Sequence, residues 1–478
     1  MAIFSDADSD SMHVSMADEA YRLPGVYPSE TYLSGATIID VALKAECDAV
    51  HPGYGFLSES AEFSDLCAKK GIKFIGPRAE TLTISGNKLE CKKLVESRGV
   101  PVIPYSREPL ESWEEASRVA SEIGYPVLLK SAFGGGGRGI KEARSRSDLK
   151  ESFESSQREA ASSFGRFAVF VEKKLVKPRH IEVQVLASED SNEIIHLGER
   201  ECSVQRRYQK LIEMSPSPIV DEKAREQITG YALKAAAAVR YSNAGTVEFL
   251  RDSATGNFYF IEINSRLQVE HPVTEAVTGV DLVSAQLAIA SRGKLPLDQE
   301  SVRFRGSAIE CRINAEDPLA GFAPSTGSIT HLRIPYGIGI RVDTALRSGA
   351  VVSPYYDSLL AKLVAHGEDR ETARKRALVA LGEFIILGVE TTIPFHSEVL
   401  PDPAFVSGEL DTGFIEERRI IEKLRTRRAT TVPEDLAISA ILLSINKGVQ
   451  PRPRQSTQRR SVTGYQRESM RGRFTDAI

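Results

Sequence analysis

Glu248 and Glu262 stand at matching distances from a turn signal, and this spacing is the first hint of chemistry. The chain reads Gly245-Thr-Val-Glu248-Phe-Leu, then a polar stretch Asp252–Asn257, then Phe258-Tyr-Phe-Ile-Glu262-Ile-Asn264. Folded as a hairpin centred on Thr255, this segment sets Glu248 opposite Glu262, with Asn264 two residues on and on the same strand face. Two carboxylates and an amide oxygen are hard ligands suited to Mg²⁺ or Mn²⁺ held with phosphates. Acids on a strand also occur as incidental charges facing solvent, but like charges set opposite one another repel without a cation, which favours a metal. Ser265-Arg266-Leu-Gln268-Val-Glu270-His271-Pro272 follows directly. Its alternation predicts an extended segment with Arg266, Gln268 and Glu270 on one side, a guanidinium for a planar oxyanion beside a carboxylate that can take a proton. His271, placed before proline, reads as a structural turn residue. A third signal is Lys130, at the end of a predicted strand Pro126–Lys130 and four residues ahead of Gly134, Gly135, Gly136 and Gly137. Glycine amides can close over phosphate oxygens while the lysine adds a point charge. No Gly-Lys-Ser/Thr opens a helix here, so this is not a P-loop. Arg312, in Glu310-Cys311-Arg312-Ile-Asn314, is strand-borne and in isolation reads as a surface ion pair.

These residues need a scaffold, and hydrophobic periodicity supplies one. A strand at Ala2–Ser5, a helix near Gly35–Glu46, a strand Ala49–His51, a helix Ser60–Lys70 and a strand Lys73–Ile75 alternate as in a parallel sheet. Helices are predicted at Asn87–Arg98, ending at Gly99, and at Trp113–Ile123. Strands at Ala168–Lys173, His180–Leu186, Glu193–Gly198, Thr246–Arg251 and Phe258–Asn264 alternate as half-buried antiparallel strands do, around an alanine-rich helix Glu222–Val239. A mixed region runs to about Gly408. Pro433–Lys447 reads as an amphipathic helix, and residues 451–478, with seven Arg and two acids, as a solvated basic tail or a docking arm.

The 478 residues suggest about three domains at roughly 150 residues each. With 61 Lys+Arg against 65 Asp+Glu the chain lacks the basic surplus of a nucleic-acid binder, and no run is long and apolar enough to span a membrane. Five scattered cysteines with no CxxC pair suit neither a disulfide framework nor a zinc site, and point to the cytoplasm.

Together, HPGYGFLSE (51–59), SGNK (85–88), KSAFGGGGRG (130–139), PRHIEVQVL (178–186), ERECSVQRRYQK (199–210), FIEINSRLQVEHPVTE (260–275) and ECRINAEDP (310–318) resemble biotin carboxylase, the ATP-grasp component of biotin-dependent carboxylases. The resemblance implies an α/β protein: a truncated N-terminal parallel α/β domain (1–87), an ATP-grasp fold (88–290), a C-terminal mixed α+β domain (303–410), and a helix with a basic tail (411–478). It implies an ATP-dependent ligase that activates bicarbonate as carboxyphosphate and transfers carbon dioxide to N1′ of biotin. In that family's terms Lys88, Lys130, His180 and Gln205 contact ATP, the glycines close over its phosphates, and Glu172 with Lys173 holds the adenine edge. Glu248, Glu262 and Asn264 bind two divalent ions. Arg266, Gln268 and Val269 cradle bicarbonate with Lys210 nearby, and Glu270 deprotonates it. Arg312 holds carboxyphosphate or phosphate and stabilises the biotin enolate, and Tyr54 lines the biotin pocket.

Some features depart from the family pattern. The opening strand–helix unit with its Gly-Glu-Ile-Ala turn is absent, through a late start or a truncation. Phe133 replaces a usual glycine, Tyr208 a usual histidine, and Leu387 a common acid. None of the five methionines precedes a lysine, so the Ala-Met-Lys-Met turn of a biotin carrier is missing. The expectation is a homodimeric subunit that works with a biotin carboxyl carrier protein and a carboxyltransferase supplied in trans. Two readings compete: an ATP-grasp ligase of carbamoyl phosphate synthetase type, with ammonia as acceptor, and a non-catalytic scaffold subunit.

Overall fold

A computed structural model describes residues 1–131, 140–164 and 169–429, with backbone alone over 160–164. The chain divides into two units, Met1–Leu424 and Arg425–Ile478, and everything below lies in the first. The predicted helix at Pro433–Lys447 and the basic tail fall outside the described residues, as does the glycine run.

At the N-terminus, Ala2–Ser5 pairs in parallel with Ala20–Leu23, and Ala49–Val50 with Lys73–Phe74. Helices Gly35–Lys44 and Ala61–Lys69 pack Ile38, Ile39, Phe63 and Cys67 into one core with Leu23 and Phe74. The strand Ala20–Leu23 is too short and too exposed to carry a periodic signal.

A smaller antiparallel sheet takes the order Lys141–Ala143, Val127–Ser131, Val169–Lys173. Helices Trp113–Ile123 and Arg146–Phe164 accompany it, and Ala116, Ala120, Leu149 and Phe153 share a core with Val127, Leu129 and Val171.

The centre of the molecule is an eight-stranded sheet in the order Phe258–Asn264, Asn243–Arg251, Arg179–Ala187, Ile194–Arg206, Gln209–Ser215, Ser307–Asn314, Leu359–Gly367, Ile340–Thr344. Every neighbouring pair in it is antiparallel. Its two largest apolar cores pack against helices. Val183, Val185, Val247 and Phe249 meet the alanine face of helix Glu222–Ala238, while Ile212, Met214, Ile309, Cys311 and Leu363 meet Ala373, Ala377 and Leu381 of helix Arg370–Glu383. The second core continues past residue 410 through Phe414, Ile415 and Ile420.

Two expectations change here. The central strands are not half-buried: every residue of Arg179–Ala187 is buried, and the polar alternates face other protein groups rather than water. The short strand expected at Glu193–Gly198 runs instead from Ile194 to Arg206 and returns as Gln209–Ser215 through Arg207 and Tyr208, both at positive φ. A strand buried on both faces loses the alternation that would mark its ends. Among the described residues no single helix is long and apolar enough to cross a membrane.

Candidate active site

Period-two alternation builds the site. On successive central strands Ile181, Val183, Val247, Ile212, Met214, Ile309 and Cys311 enter the apolar cores, so Glu182, Glu248, Glu213, Glu310 and Arg312 emerge on the other face. A row of ionisable groups thus crosses the sheet, and each must find a partner.

The row continues on the smaller sheet, where Glu172 is wholly buried and accepts from both Lys92 and Lys130. Burial pushes its carboxyl up, but the two ammonium groups outweigh that and hold it at about 2. Lys173, next in the strand, turns to the opposite side and donates to the carbonyls of Gly124 (2.8 Å) and Tyr125 (2.9 Å). The expected joint hold of Glu172 and Lys173 on an adenine edge is therefore not formed by their side chains, which alternation sends to opposite faces. Lys88 opens helix Lys88–Ser97, capped by Asn87, and its Nζ lies 2.6 Å from Glu262 Oε2.

The hairpin register is as anticipated: Glu248 pairs with Glu262 and Thr246 with Asn264, with a slip between Glu248 and Phe249 that recentres the strand pair. Glu248 Oε1 accepts from Lys210 (2.8 Å), while Oε2 lies 3.1 Å from Nε2 of the buried His180. Against burial, Lys210 and His180 hold the Glu248 carboxyl well below the usual range. Glu248 and Glu262 face each other across the strand pair with Asn264 two residues on, and oxygens so placed are of the type that could hold a hard divalent cation.

Lys210 is the hub. Its ammonium donates to Glu182, Glu248 (2.8 Å) and Glu270 (2.6 Å). Burial alone would favour its neutral form, but the three carboxylates outweigh it and raise the pKa well above the ordinary value. Arg312 donates from Nε to Glu213 Oε1 (2.6 Å) and from Nη2 to Glu270 Oε2 (2.8 Å). Glu270 is fully buried. Although burial opposes ionisation, Lys210, Arg312 and Arg200 hold its carboxyl well below the ordinary range. Arg200, also fully buried, bonds Glu182, Gln184, Thr246 and Thr274.

The segment after the hairpin is not the extended run its alternation suggested. It bends at Arg266 and turns at Val269–Glu270, and Glu270 occupies the N-cap of helix His271–Thr278 with φ −79° and ψ 8°. A proline at the second helical position, which suits a first turn, draws the helix start back to His271. The three side chains still converge: Arg266 Nη1 donates to Gln268 Oε1 (3.0 Å), and Gln268 Nε2 lies 3.4 Å from Glu248 Oε1. His271 is buried with Nδ1 2.7 Å from the Gln268 carbonyl, and burial pushes its pKa down to about 3. The Val269 carbonyl accepts from Lys362 (3.1 Å), whose Nζ also stands 5.7 Å from the centre of the Tyr54 ring. Gln205 is buried opposite Lys210 in the strand pair. Tyr208 sits at the exposed turn and Leu387 on the exposed end of a short strand.

Several groups in the network were not foreseen. Glu182 and Arg200 sit within the family-like motifs, and charges inside apolar strands were the available signal. Glu213, between Ile212 and Met214, carried the same signal, and Lys92, on a helix, gave none. Glu59 ends HPGYGFLSE and reaches Arg266 Nε at 3.2 Å and the Ser265 amide at 3.1 Å, a contact across 206 positions for the latter.

A large antiparallel sheet, a smaller sheet carrying Lys130, and ionisable groups between them define an ATP-grasp fold. Residues 1–82 match the biotin carboxylase N-terminal domain, 87–298 the ATP-binding domain of the carbamoyl-phosphate synthase L chain, and 310–417 the biotin carboxylase C-terminal domain. The chain is 48% identical to biotin carboxylase 1 of Bacillus subtilis, over 87% of this chain and 92% of that protein. It is 48% identical to the 2-oxoglutarate carboxylase small subunit of Hydrogenobacter thermophilus, over 87% and 88%. Its structure resembles the biotin carboxylase domain dimer of that 2-oxoglutarate carboxylase, determined with MgADP, ADP and bicarbonate. The match has a TM-score of 0.85 and 47% identity, covering 88% of this chain and 92% of that one. The chain belongs to the biotin carboxylase family.

Proposed function

We propose that this chain uses ATP to activate bicarbonate as carboxyphosphate and passes the carboxyl group to biotin on a carrier protein. The observation that carries the reading is Glu270, held between Lys210 and Arg312 and linked through Lys210 to the metal-type carboxylate Glu248. Lys88 and Lys130 supply positive charge for the phosphates, and His180 beside Glu248 and Gln205 beside Lys210 are further ATP contacts. Divalent ions on Glu248, Glu262 and Asn264 would offset charge during phosphoryl transfer. Arg266, Gln268 and the Val269 backbone form the bicarbonate cradle. Glu270 accepts the bicarbonate proton as a bicarbonate oxygen attacks the γ-phosphorus, the bond to the bridging oxygen breaks and ADP leaves. In the present arrangement Glu270 is a weak base because two cations share it. Withdrawal of Arg312 towards a phosphate oxygen removes one of them and raises its proton affinity at the step that needs it. Arg312 then stabilises negative charge on the ureido oxygen, beside Tyr54.

We read residues 1–87, 88–290 and 303–410 as the three working domains, with 411–478 as an extension. The carrier and a carboxyltransferase act in trans, two copies of this chain assemble as a dimer, and five free thiols fit the cytoplasm. The test supplies the protein with free biotin, labelled bicarbonate and Mg-ATP. Labelled carboxybiotin and matching ADP release are expected, both lost in Glu262→Gln. ATP use that responds to ammonia and labels no biotin would assign the carbamoyl phosphate synthetase chemistry instead.

A further inference from the structure

Behind Arg312 lies a group of carboxyl oxygens that the reaction above does not use. Glu213 and Glu310 are directly opposite one another on adjacent antiparallel strands, on the same face, and both are fully buried. Glu213 Oε1 accepts from Arg312 Nε at 2.6 Å, whereas Glu213 Oε2 and both oxygens of Glu310 have no hydrogen-bond partner among the described residues. Carboxyl groups side by side in a dry site cannot both be ionised. We propose that Glu213 and Glu310 form a carboxyl pair carrying one proton and one negative charge, and that this pair positions Arg312 for the biotin step. The inference rests on the role given to Arg312 above.

The surroundings decide where the charge sits. Lys210 shares the Glu213 strand, Arg312 shares the Glu310 strand, Lys362 projects from the next strand, and Glu270 and Tyr54 close the site. Arg312 bonds Glu213 directly. Lys362 is committed to the Val269 carbonyl and lies 3.5 Å from Asp343. The negative charge therefore belongs on Glu213 and the proton on Glu310. Burial, with Glu213 beside it, pushes the Glu310 carboxyl well above the ordinary range, and burial raises Glu213 to about 7 despite Arg312.

The consequence concerns timing. With Arg312 Nη2 withdrawn and Glu270 carrying the bicarbonate proton, Glu213 is, among the described residues, the carboxylate still bonded to the guanidinium. Glu213 keeps Nε fixed while Nη2 is free to meet the ureido oxygen. Glu213 and Glu310 are thus positioning residues.

The experiment measures biotin carboxylation and bicarbonate-dependent ATPase across pH for the parent, Glu213→Gln and Glu310→Gln. For the parent, biotin carboxylation is expected to fall on the acid side of about pH 7 as Glu213 takes up a second proton. In E213Q the biotin rate should drop about tenfold or more, with the ATPase reduced less and the acid limb gone. E310Q replaces a protonated carboxyl by a neutral amide of the same shape and should keep the acid limb. It should also remove a protonated-carboxyl band from the infrared spectrum of the folded protein. An E213Q enzyme with the parent's rate and profile would overturn the proposal, as would an E310Q spectrum that retains the full band. If E213Q does not fold, the acid limb of E310Q and its spectrum decide between these outcomes. A parent that makes no carboxybiotin would instead overturn the functional reading on which the inference rests.

Discussion

The two ends of the ionisable row are built on opposite charge balances. At the Lys130 end, Lys88, Lys92 and Lys130 meet only Glu172 and Glu262 among the described residues. At the Arg312 end, Lys210, Arg200, Arg312 and Lys362 meet Glu182, Glu248, Glu270, Glu213 and Glu310, the last of these across the strand pair. A cationic surplus in a partly open cleft suits a polyphosphate, which arrives carrying the missing negative charge. An acidic surplus in a dry site must be offset by protons, metal ions or both. The first end thus waits for an anion, whereas the second is already arranged for proton transfer.

The strongest test of this contrast is Glu270→Ala. It should lower both biotin carboxylation and bicarbonate-dependent ATP hydrolysis by ~10²–10⁴ while leaving ADP affinity intact. A parallel loss of ADP binding, measured by calorimetry, would show that the ends do not act separately. Arg312→Ala should lose biotin carboxylation but retain part of the ATPase, and equal loss of both activities would remove the division between the two steps.

Acid should separate the two ends as well. His396 donates its Nε2–H to the Arg312 carbonyl at 2.7 Å, and burial lowers its pKa from 6.5 to about 4. Between those values the unfolded chain binds more protons than the folded one, so stability falls as pH falls from 6.5 to about 4, by roughly 3 kcal/mol in all. Glu172, at about 2 when folded against 4.5 otherwise, contributes stability that is lost only as pH falls from 4.5 towards 2. Hydrogen exchange, corrected for intrinsic rates, should show the Arg312 strand loosening at higher pH than the Lys130 strand. The reverse order would contradict these assignments.

Lys130→Ala removes a charge-assisted phosphate contact and should weaken ADP binding by ~1.5–3 kcal/mol, with Lys92 still neutralising Glu172. Unchanged affinity in calorimetry would take Lys130 out of the nucleotide site. The smallest effect is expected from Asn87→Ala. Asn87 accepts from the Glu90 amide and caps the helix that begins at Lys88, so its loss should cost ~1 kcal/mol in thermal unfolding, with a slight weakening of nucleotide binding.

Much of this was legible in the residue pattern. Helix Trp113–Ile123 and strand Phe258–Asn264 start and end where periodicity and turn signals put them. The facing of Glu248 and Glu262 followed from counting residues to the turn, because hairpin register is a local property. The strand Ile194–Arg206 was less legible because burial on both faces mixes charged and apolar residues, and the bend at Arg266 because a proline-started helix overrode alternation.

The chemical inventory, the local pairings and, through the motifs, the family were all written in the order of residues. Folding settled which charges share a site. Glu270 meets Lys210 across 60 positions and Arg312 across 42, and Glu213 meets Glu310 because the strand Gln209–Ser215 is placed beside Ser307–Asn314. Residue types set how strongly a charge needs a partner. Which partner it finds is set by strand order, because Coulomb interactions depend on distance and dielectric, and both are properties of the folded sheet.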